Sequence, residues 1–424
     1  MIMKIAHATN YLPYYHAIVG GGEQAVYRLV KLQAKKGNKI SVLATAPIKK
    51  PKEDFKFFSV NVSEDYFDKS GSFVRALKLS FFPFDLVSFI SSYKILKKIK
   101  PDILHLHNFN ILSFSVLQAA KILDIPTVLS IYDYWYFCPI SMLFDNDYNV
   151  CEKYHGLNCV DCIKQKSNMP RTLLKLFLLL RKPVFNYFLN KIDAFVALSE
   201  SSETILTNYG IKKEKVHKIP LLFSSKDFKL WKPEKLKKNL ILYAGWVVRH
   251  KGLHILVKAM PEILKEFPDA KLIAIGDNTI DKKYTNMILK EIKKHKLEKN
   301  VSLLGRLSDE DFNKFLGEGN IIVIPEQWEN MSPVFLPQSM INGKPIVASN
   351  IGGIPEFLEN NRNGLICKPN DPHDFAEKMI WMLKNKDSAN KMGENAKKDI
   401  SKVFNEDEIS KNLTSLYNSL IKKN

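Results

Sequence analysis

Short apolar runs rich in Ile, Val and Leu recur along the chain between longer amphipathic stretches. In the first half, Lys4–Ala8, Lys39–Ala44, Ile103–Leu106, Thr127–Ser130 and Ala194–Ala197 read as strands. A helix is predicted from about Glu23 to Lys35, with further helical stretches around Val87–Lys98 and Ile111–Leu123. A second series follows, Asn239–Tyr243, Lys271–Ile275, Val301–Leu303, Ile321–Ile324 and Ile346–Ala348, again with helical patterns between. Strands that are apolar throughout are covered on both faces, and strands separated by helices pair in parallel. The pattern therefore predicts an α/β chain with two doubly wound parallel sheets. The polar, Lys- and Pro-containing stretch from Ile219 to Lys238 reads as the linker. The expected division is an N-terminal domain over residues 1–218, a C-terminal domain over 219–404, and a last amphipathic helix within 405–424.

A length of 424 residues accommodates two such domains. At 46% hydrophobic and 25% charged residues, the composition is that of a globular chain and not a disordered one. No run of eighteen apolar residues occurs, and Met1-Ile2-Met3-Lys4 leads straight into strand pattern without a signal-peptide core. The resulting expectation is a cytoplasmic location. Basic residues outnumber acidic ones 63 to 44, for a net charge of +19. Such an excess attracts nucleotide diphosphates or anionic lipid head groups, although a Lys-rich solvated surface also accounts for it. Nucleic acid is not an expected partner, because no helix-turn-helix, zinc-finger or RNP-type pattern is present.

Ligands of parallel sheets bind outside the carboxyl ends of the strands, so the chemistry is sought just after each one. The richest stretch runs from Ile321 to Glu356: strand, a Glu329-Asn330-Met331-Ser332-Pro333 loop, a helical segment ending near Gly343, then a strand. A loop entering a helix N-terminus presents backbone N–H groups and the positive dipole end to an anion. After strand Asn239–Tyr243, the segment Ala244–Gly252 carries Arg249 and Lys251, a planar fork and a point charge suited to phosphate. An exposed basic loop is the plain alternative. In the first half, Gly20-Gly21-Gly22-Glu23 opens a helix, and glycines there permit close backbone approach and positive φ. His105 and His107 stand two residues apart at a strand end and so share one face, His107 lying nearer the end.

In this order the segments resemble the donor-sugar motif of the retaining glycosyltransferases of family 4 (glycosyl transferases group 1), which have the GT-B fold. That fold has two Rossmann-like domains facing across a cleft. The resemblance implies a metal-independent, hexosyltransferase-type enzyme that moves a sugar from a nucleotide-diphosphate sugar to a glycan or lipid-linked acceptor. Anomeric configuration is retained, and no cofactor or protein nucleophile is required. It implies Lys251 with Arg249 on the donor diphosphate and Glu329 on the hexose. Around the donor it places Gly21, Gly22, Asn330, Ser332 and Gln338, and on the acceptor side His107 and Tyr132. The last helix is expected to pack back on the first domain. Three positions depart from the family pattern. Trp246 stands where an Arg is usual, and Tyr132, in Leu129–Pro139, stands where a His precedes Asp133. Gln338 replaces the second of two glutamates, nine residues after Glu329 instead of eight. An amide still binds a diol but forfeits charge assistance, which makes such bonds about twice as strong. A phenol with a pKa of about 10 is a poor proton acceptor at neutral pH. The departures leave open a catalytically inactive GT-B-like scaffold or partner subunit.

Four of the five cysteines cluster, Cys138, Cys151, Cys159 and Cys162, the last two with the Cys-x-x-Cys spacing of a zinc ribbon. In a cytoplasmic chain this favours metal over disulfides, and four thiolates would form a closed, structural zinc site. His155 could replace one ligand, and reduced thiols on a loop are the alternative. The stretch Arg171–Lys191 is both apolar and basic, as is suited to an anionic membrane surface, and Phe81-Phe82-Pro83-Phe84 is a second candidate. Packing of both against the first domain would serve equally.

Overall fold

A computed structural model of the chain describes residues 2–17, 20–49, 51–63, 83–145, 150–151, 154–164, 170–223, 238–331, 333–403 and 405–422. It divides into two compact units: Met1–Leu222 with Glu406–Asn424, and Phe223–Asn405. The first is built on a seven-stranded sheet of β1 (Lys4–Ala8), β2 (Lys39–Ala44), β3 (Lys56–Ser59), β4 (Ile103–Leu106), β5 (Thr127–Ser130), β6 (Ala194–Ala197) and β7 (Val216–Lys218). Its order is β3-β2-β1-β4-β5-β6-β7, and every pair is parallel. The second contains β8 (Leu240–Ala244), β9 (Lys271–Ile275), β10 (Val301–Gly305), β11 (Ile321–Ile324), β12 (Ile346–Ser349) and β13 (Leu365–Cys367). Here the order is β10-β9-β8-β11-β12-β13, again parallel throughout. Relative to its own first strand, each sheet is wound the same way, and the winding reverses beside that strand. The reversal opens a crevice between β1 and β4 in the first unit and between β8 and β11 in the second.

Three strands, β3, β7 and β13, are absent from the sequence pattern. Each is an edge strand of three or four residues. An edge is covered on fewer sides, so it does not need the continuous apolar run that marks β1, β4 or β11. The central strands β4, β5, β6, β11 and β12 are buried at every position. Among the described residues, no helix is long and apolar enough to cross a membrane.

The last helix, Glu406–Ile421, belongs to the first unit and enters it through a buried polar chain. One placement of protons satisfies every contact. Gln33 Nε2 donates to the Tyr417 hydroxyl (3.2 Å), which donates to His105 Nδ1 (2.6 Å). His105 Nε2 then donates to Ser130 Oγ (2.8 Å), whose hydroxyl serves Tyr132. From the other end of the same amide, Gln33 Oε1 accepts from His7 Nε2 (2.8 Å), and His7 Nδ1 accepts from His107 Nε2 (2.9 Å). His107 Nδ1 is left as a buried acceptor without a hydrogen-bond partner among the described residues. All three imidazoles are fully buried. Register explains part of the grouping, since His7 on β1 lies directly beside His105 on β4.

Burial disfavours the charged form of each ring. It lowers His7 from 6.5 to about 4 and holds His105 and His107 well below 6.5, where neighbouring imidazoles add to the effect. The unfolded chain takes up protons on these rings below pH 6.5, and the folded chain does not. Stability is therefore complete above pH 6.5 and is lost as pH falls toward 4, with His7 alone contributing on the order of 3 kcal/mol over that window. Urea unfolding at pH 8, 6.5 and 5 should show this decline, and His7→Asn should make it shallower. An unchanged stability across that range would contradict the neutral buried network.

Candidate functional site

In the second unit, the crevice between β8 and β11 is bounded by the segments that follow those strands. Gly252 lets them meet: its φ is +75°, and a Cβ there would lie 1.8 Å from the Pro325 carbonyl oxygen. Gln327 N donates to His250 O (2.8 Å), which latches the second segment to the first. The side chains complete the latch. Lys251 Nζ is 2.6 Å from Glu326 Oε1, and Trp328 Nε1 donates to the other carboxylate oxygen (2.6 Å). The Lys251 ammonium also sits 5.5 Å from the centre of the Trp328 ring, whose edge packs on His250. Lys251 is 21% exposed and Glu326 only 6%, so the cation faces outward from a buried counter-charge.

The neighbouring loops close on the same place. Gly276 has φ +145°, and a Cβ there would fall 2.0 Å from Gly245 O. Val247 N donates to Asp277 O (2.9 Å). From the far side, Gly352 (φ +58°) approaches Asn330 so closely that a Cβ would lie 2.4 Å from its carbonyl oxygen, and Gly353 N donates to that oxygen (2.9 Å). Glu329 and Asn330 are buried between these loops.

The donor residues predicted from sequence are thus partly gathered. Lys251, Glu329 and Asn330 lie on adjoining loops. Arg249 is exposed and rests its guanidinium against Met287 Sδ (3.7 Å), so it and Lys251 have different partners. Trp246 is 42% exposed, its carbonyl accepting from the Tyr243 hydroxyl (2.9 Å). Gln338 is half-buried in the two-turn helix Phe335–Ile341, and Ser332 lies outside the described residues. Glu326, the group that fixes Lys251, was missed. The available signal was a carboxylate two residues past an apolar strand, followed by a Trp.

In the first unit, the helix Gly21–Lys35 starts beside the crevice between β1 and β4. The glycines there do not use positive φ. Gly20 is extended, Gly21 and Gly22 are helical, and Gly22 instead gives room to Tyr132, whose ring would lie 3.5 Å from a Cβ. Glu23 folds back to accept from Gly20 N (2.9 Å) and from Asn108 Nδ2 (3.5 Å). The Tyr132 ring lies 5.8 Å from that of His107, so these two predicted acceptor residues do come together. His107 is fully buried beneath the surface it was expected to line. Asp133, to which sequence gave no role, accepts from Trp135 N (2.9 Å). Burial, reinforced by Glu23, raises its carboxyl from 3.8 to about 6, against the pull of that bond. The ligating atoms of His7, His105 and His107 lie within 4.8 Å of one another, close enough for one ion, but their hydrogen bonds already engage five of the six ring nitrogens.

Cys138, Cys151, Cys159 and Cys162 line one cavity of about 180 Å³ with Tyr154 and His155. Cys159 and Cys162 lie one turn apart on the short helix Cys159–Lys164. Cys138 is buried at the end of the turn that follows Tyr134.

A model of the glycosyl transferases group 1 matches residues 225–399, and one of glycosyltransferase family 4 matches residues 19–221. An uncharacterized glycosyltransferase of Methanocaldococcus jannaschii is 27% identical over 237 residues, 56% of this chain and 58% of that one. The spore coat protein SA of Bacillus subtilis is 26% identical over 42% of this chain and 48% of its own length. A D-rhamnosyltransferase of Pseudomonas aeruginosa is 26% identical over 59% of this chain and 62% of its own. The alignments thus span about half the length of these curated relatives. Two solved structures share the fold. Sucrose-phosphate synthase from Thermosynechococcus elongatus has a TM-score of 0.76 at 16% identity, covering 99% of each chain. The Anabaena HepE protein in complex with UDP and glucose has a TM-score of 0.70 at 16% identity, covering 99% of this chain and 100% of that one. One family model falls on each parallel-sheet unit and the two together span most of the chain, so this protein belongs to the group 1, family 4 glycosyltransferases, whose GT-B fold its two parallel-sheet units share.

Proposed function

We propose that the chain transfers a hexose-type sugar from a nucleotide-diphosphate sugar to a glycan or lipid-linked acceptor. The observation that carries this reading is Lys251, a cation held at the reversal point of the second sheet by Glu326 and Trp328. As the bond between sugar and diphosphate breaks, negative charge grows on the leaving group, and a positioned ammonium stabilises it without reorganising. Glu329 would bind the hexose hydroxyls and Gln338 the ribose diol. Retention follows if the acceptor hydroxyl attacks from the face the diphosphate leaves and passes its proton to the departing phosphate, so that no protein nucleophile is needed. On the acceptor side, Tyr132 and Asp133 are the polar groups beside the helix start at Gly21–Gly22. The outward face of the helix Arg171–Asn190 exposes Leu176, Leu179, Leu180 and Tyr187 together with Lys175 and Lys182. That mixture supports peripheral docking on an anionic membrane from the cytoplasmic side, where a lipid-linked acceptor would be met. Phe84 is likewise exposed, whereas Phe81 and Phe82 lie outside the described residues.

One observation favours a second reading. Lys251 already has a counter-charge, and a scaffold without catalysis would keep that pair permanently closed. Trp246, Gln338 and Tyr132 point the same way.

Thermal unfolding against UDP-, GDP-, ADP- and dTDP-sugars separates the two readings. A true donor at about a hundredfold over its Kd should add about 2.7 kcal/mol of stability. Lys251→Ala should weaken that donor by about 1.5–3 kcal/mol, roughly ten- to a hundredfold in Kd. No shift with any nucleotide sugar in the folded protein would sink the enzyme reading.

Glu326→Gln tests the latch. Loss of the carboxylate should destabilise the ligand-free protein by about 1–3 kcal/mol while tightening nucleoside-diphosphate binding, because Lys251 no longer has to give up a partner. Calorimetry showing destabilisation with no diphosphate binding at all would support the scaffold instead.

A further inference from the structure

The cysteine cavity lies in the first unit, and nothing in the reaction proposed above uses it. Its walls come from separate stretches of chain. Cys138 follows the Tyr134–Phe137 turn, its N–H bonded to Tyr134 O (2.8 Å). Cys151 is tied by its backbone to Leu143 O (2.8 Å) and, through its own carbonyl, to the Tyr209 hydroxyl (2.8 Å). Cys159 and Cys162 come from the helix Cys159–Lys164, which packs on the helix Arg171–Asn190 through Val160, Ile163, Leu174 and Leu178. All four are free thiols.

Beneath the cavity is a buried cation. Arg181 is 1% exposed and donates to the carbonyls of Trp135 and Tyr136, with its guanidinium 3.8 Å from the Phe185 ring centre. No carboxylate among the described residues pairs with it, and its Nε has no hydrogen-bond partner among them. A buried guanidinium without a counter-anion is costly. Cys138, Cys159 and the Tyr154 hydroxyl are the groups whose negative forms would act on it, while Asp145 and Asp161 line the same cavity.

We propose that Cys138, Cys151, Cys159 and Cys162 bind one zinc ion as thiolates, closing a structural site against Arg181. As Zn²⁺ binds, the four thiols release their four protons to solvent and form four Zn–S bonds, so the centre carries two net negative charges, and Arg181 offsets part of them. The Cys-x-x-Cys pair on a single helical turn has zinc-ribbon spacing. Zn–S bonds of about 2.3 Å place sulfurs roughly 3.8 Å apart. The sulfurs here stand wider, since no three of the four lie within 4.8 Å of one another. Binding therefore draws the walls inward over a cavity with room for it. Cys138 ends the segment that carries Tyr132 and Asp133, so the ion would fasten the loop after β5 to the helix Arg171–Asn190. Four protein ligands leave no open position for substrate, and the role is structural.

The full-length protein, purified without chelators, should contain about one zinc per chain by elemental analysis. Replacement with Co²⁺ should give thiolate-to-cobalt charge-transfer absorption and the intense d–d bands of a tetrahedral site. The Cys159→Ser/Cys162→Ser double variant should lose the metal and the bands, and His155→Ala should keep both. Chelation should lower the thermal midpoint of the wild-type protein and not that of the double variant. The proposal is overturned by metal-free protein with all four thiols titratable, by disulfides among them, or by iron with acid-labile sulfide. If the double variant does not fold, metal content and cobalt spectra of the wild-type chain still decide the matter.

Discussion

Parallel strands cannot be joined by tight turns, and that constraint organises both units. Each connection must cross the sheet through a helix and return, so every strand ends on the same side and every loop that follows a strand is gathered there. Because the winding reverses beside the first strand of each sheet, the loops after β1 and β4, and after β8 and β11, part to leave a crevice. Side chains placed just past those strands then have few alternatives. Lys251, Glu326 and Glu329 are neighbours in the second unit for this reason, as are Asn10 and Asn108 in the first. The glycines at 252, 276 and 352 follow from the same crowding, since a Cβ at any of them would collide with a neighbouring loop's backbone.

Within that frame the two crevices are electrostatically different. The second unit offers a cation backed by a buried carboxylate and an indole, so Lys251 is held in one place by two partners. The first is lined beneath by neutral imidazoles whose protons are fixed by one amide, Gln33, and one phenol, Tyr417. Such a network resists protonation and holds β1, β4, β5 and the last helix in one register. Burial raises the Asp133 carboxyl in the same unit from 3.8 to about 6.

Much of this was legible in the sequence. The interior strands were readable because burial on both faces demands unbroken apolar runs, as in Ile321–Ile324. The edge strands Lys56–Ser59 and Leu365–Cys367 were not, because one open side relaxes that demand. Lys251 and Glu329 lie in loops that follow strands, but their roles, like that of Tyr132, came from the resemblance to family 4 and not from the residues alone. Glu326 could not be told from a solvated acid until Trp328 and Lys251 were seen to close on it. Arg249 was expected beside Lys251 on the donor diphosphate, yet a single 3₁₀ turn (Arg249–Lys251) gives the two cations different partners. The link from Gln33 to Tyr417 spans 384 positions, a distance at which no local pattern carries information.

The central claim is that a nucleoside diphosphate binds where β8 and β11 end. Hydrogen–deuterium exchange of the full-length chain, with and without saturating UDP and GDP, tests it most directly. Exchange should slow mainly at residues 245–252 and 325–331 for whichever nucleotide binds, with the loops of the first unit little changed. Protection centred on the first unit, or none in those two segments despite measurable binding, would contradict it.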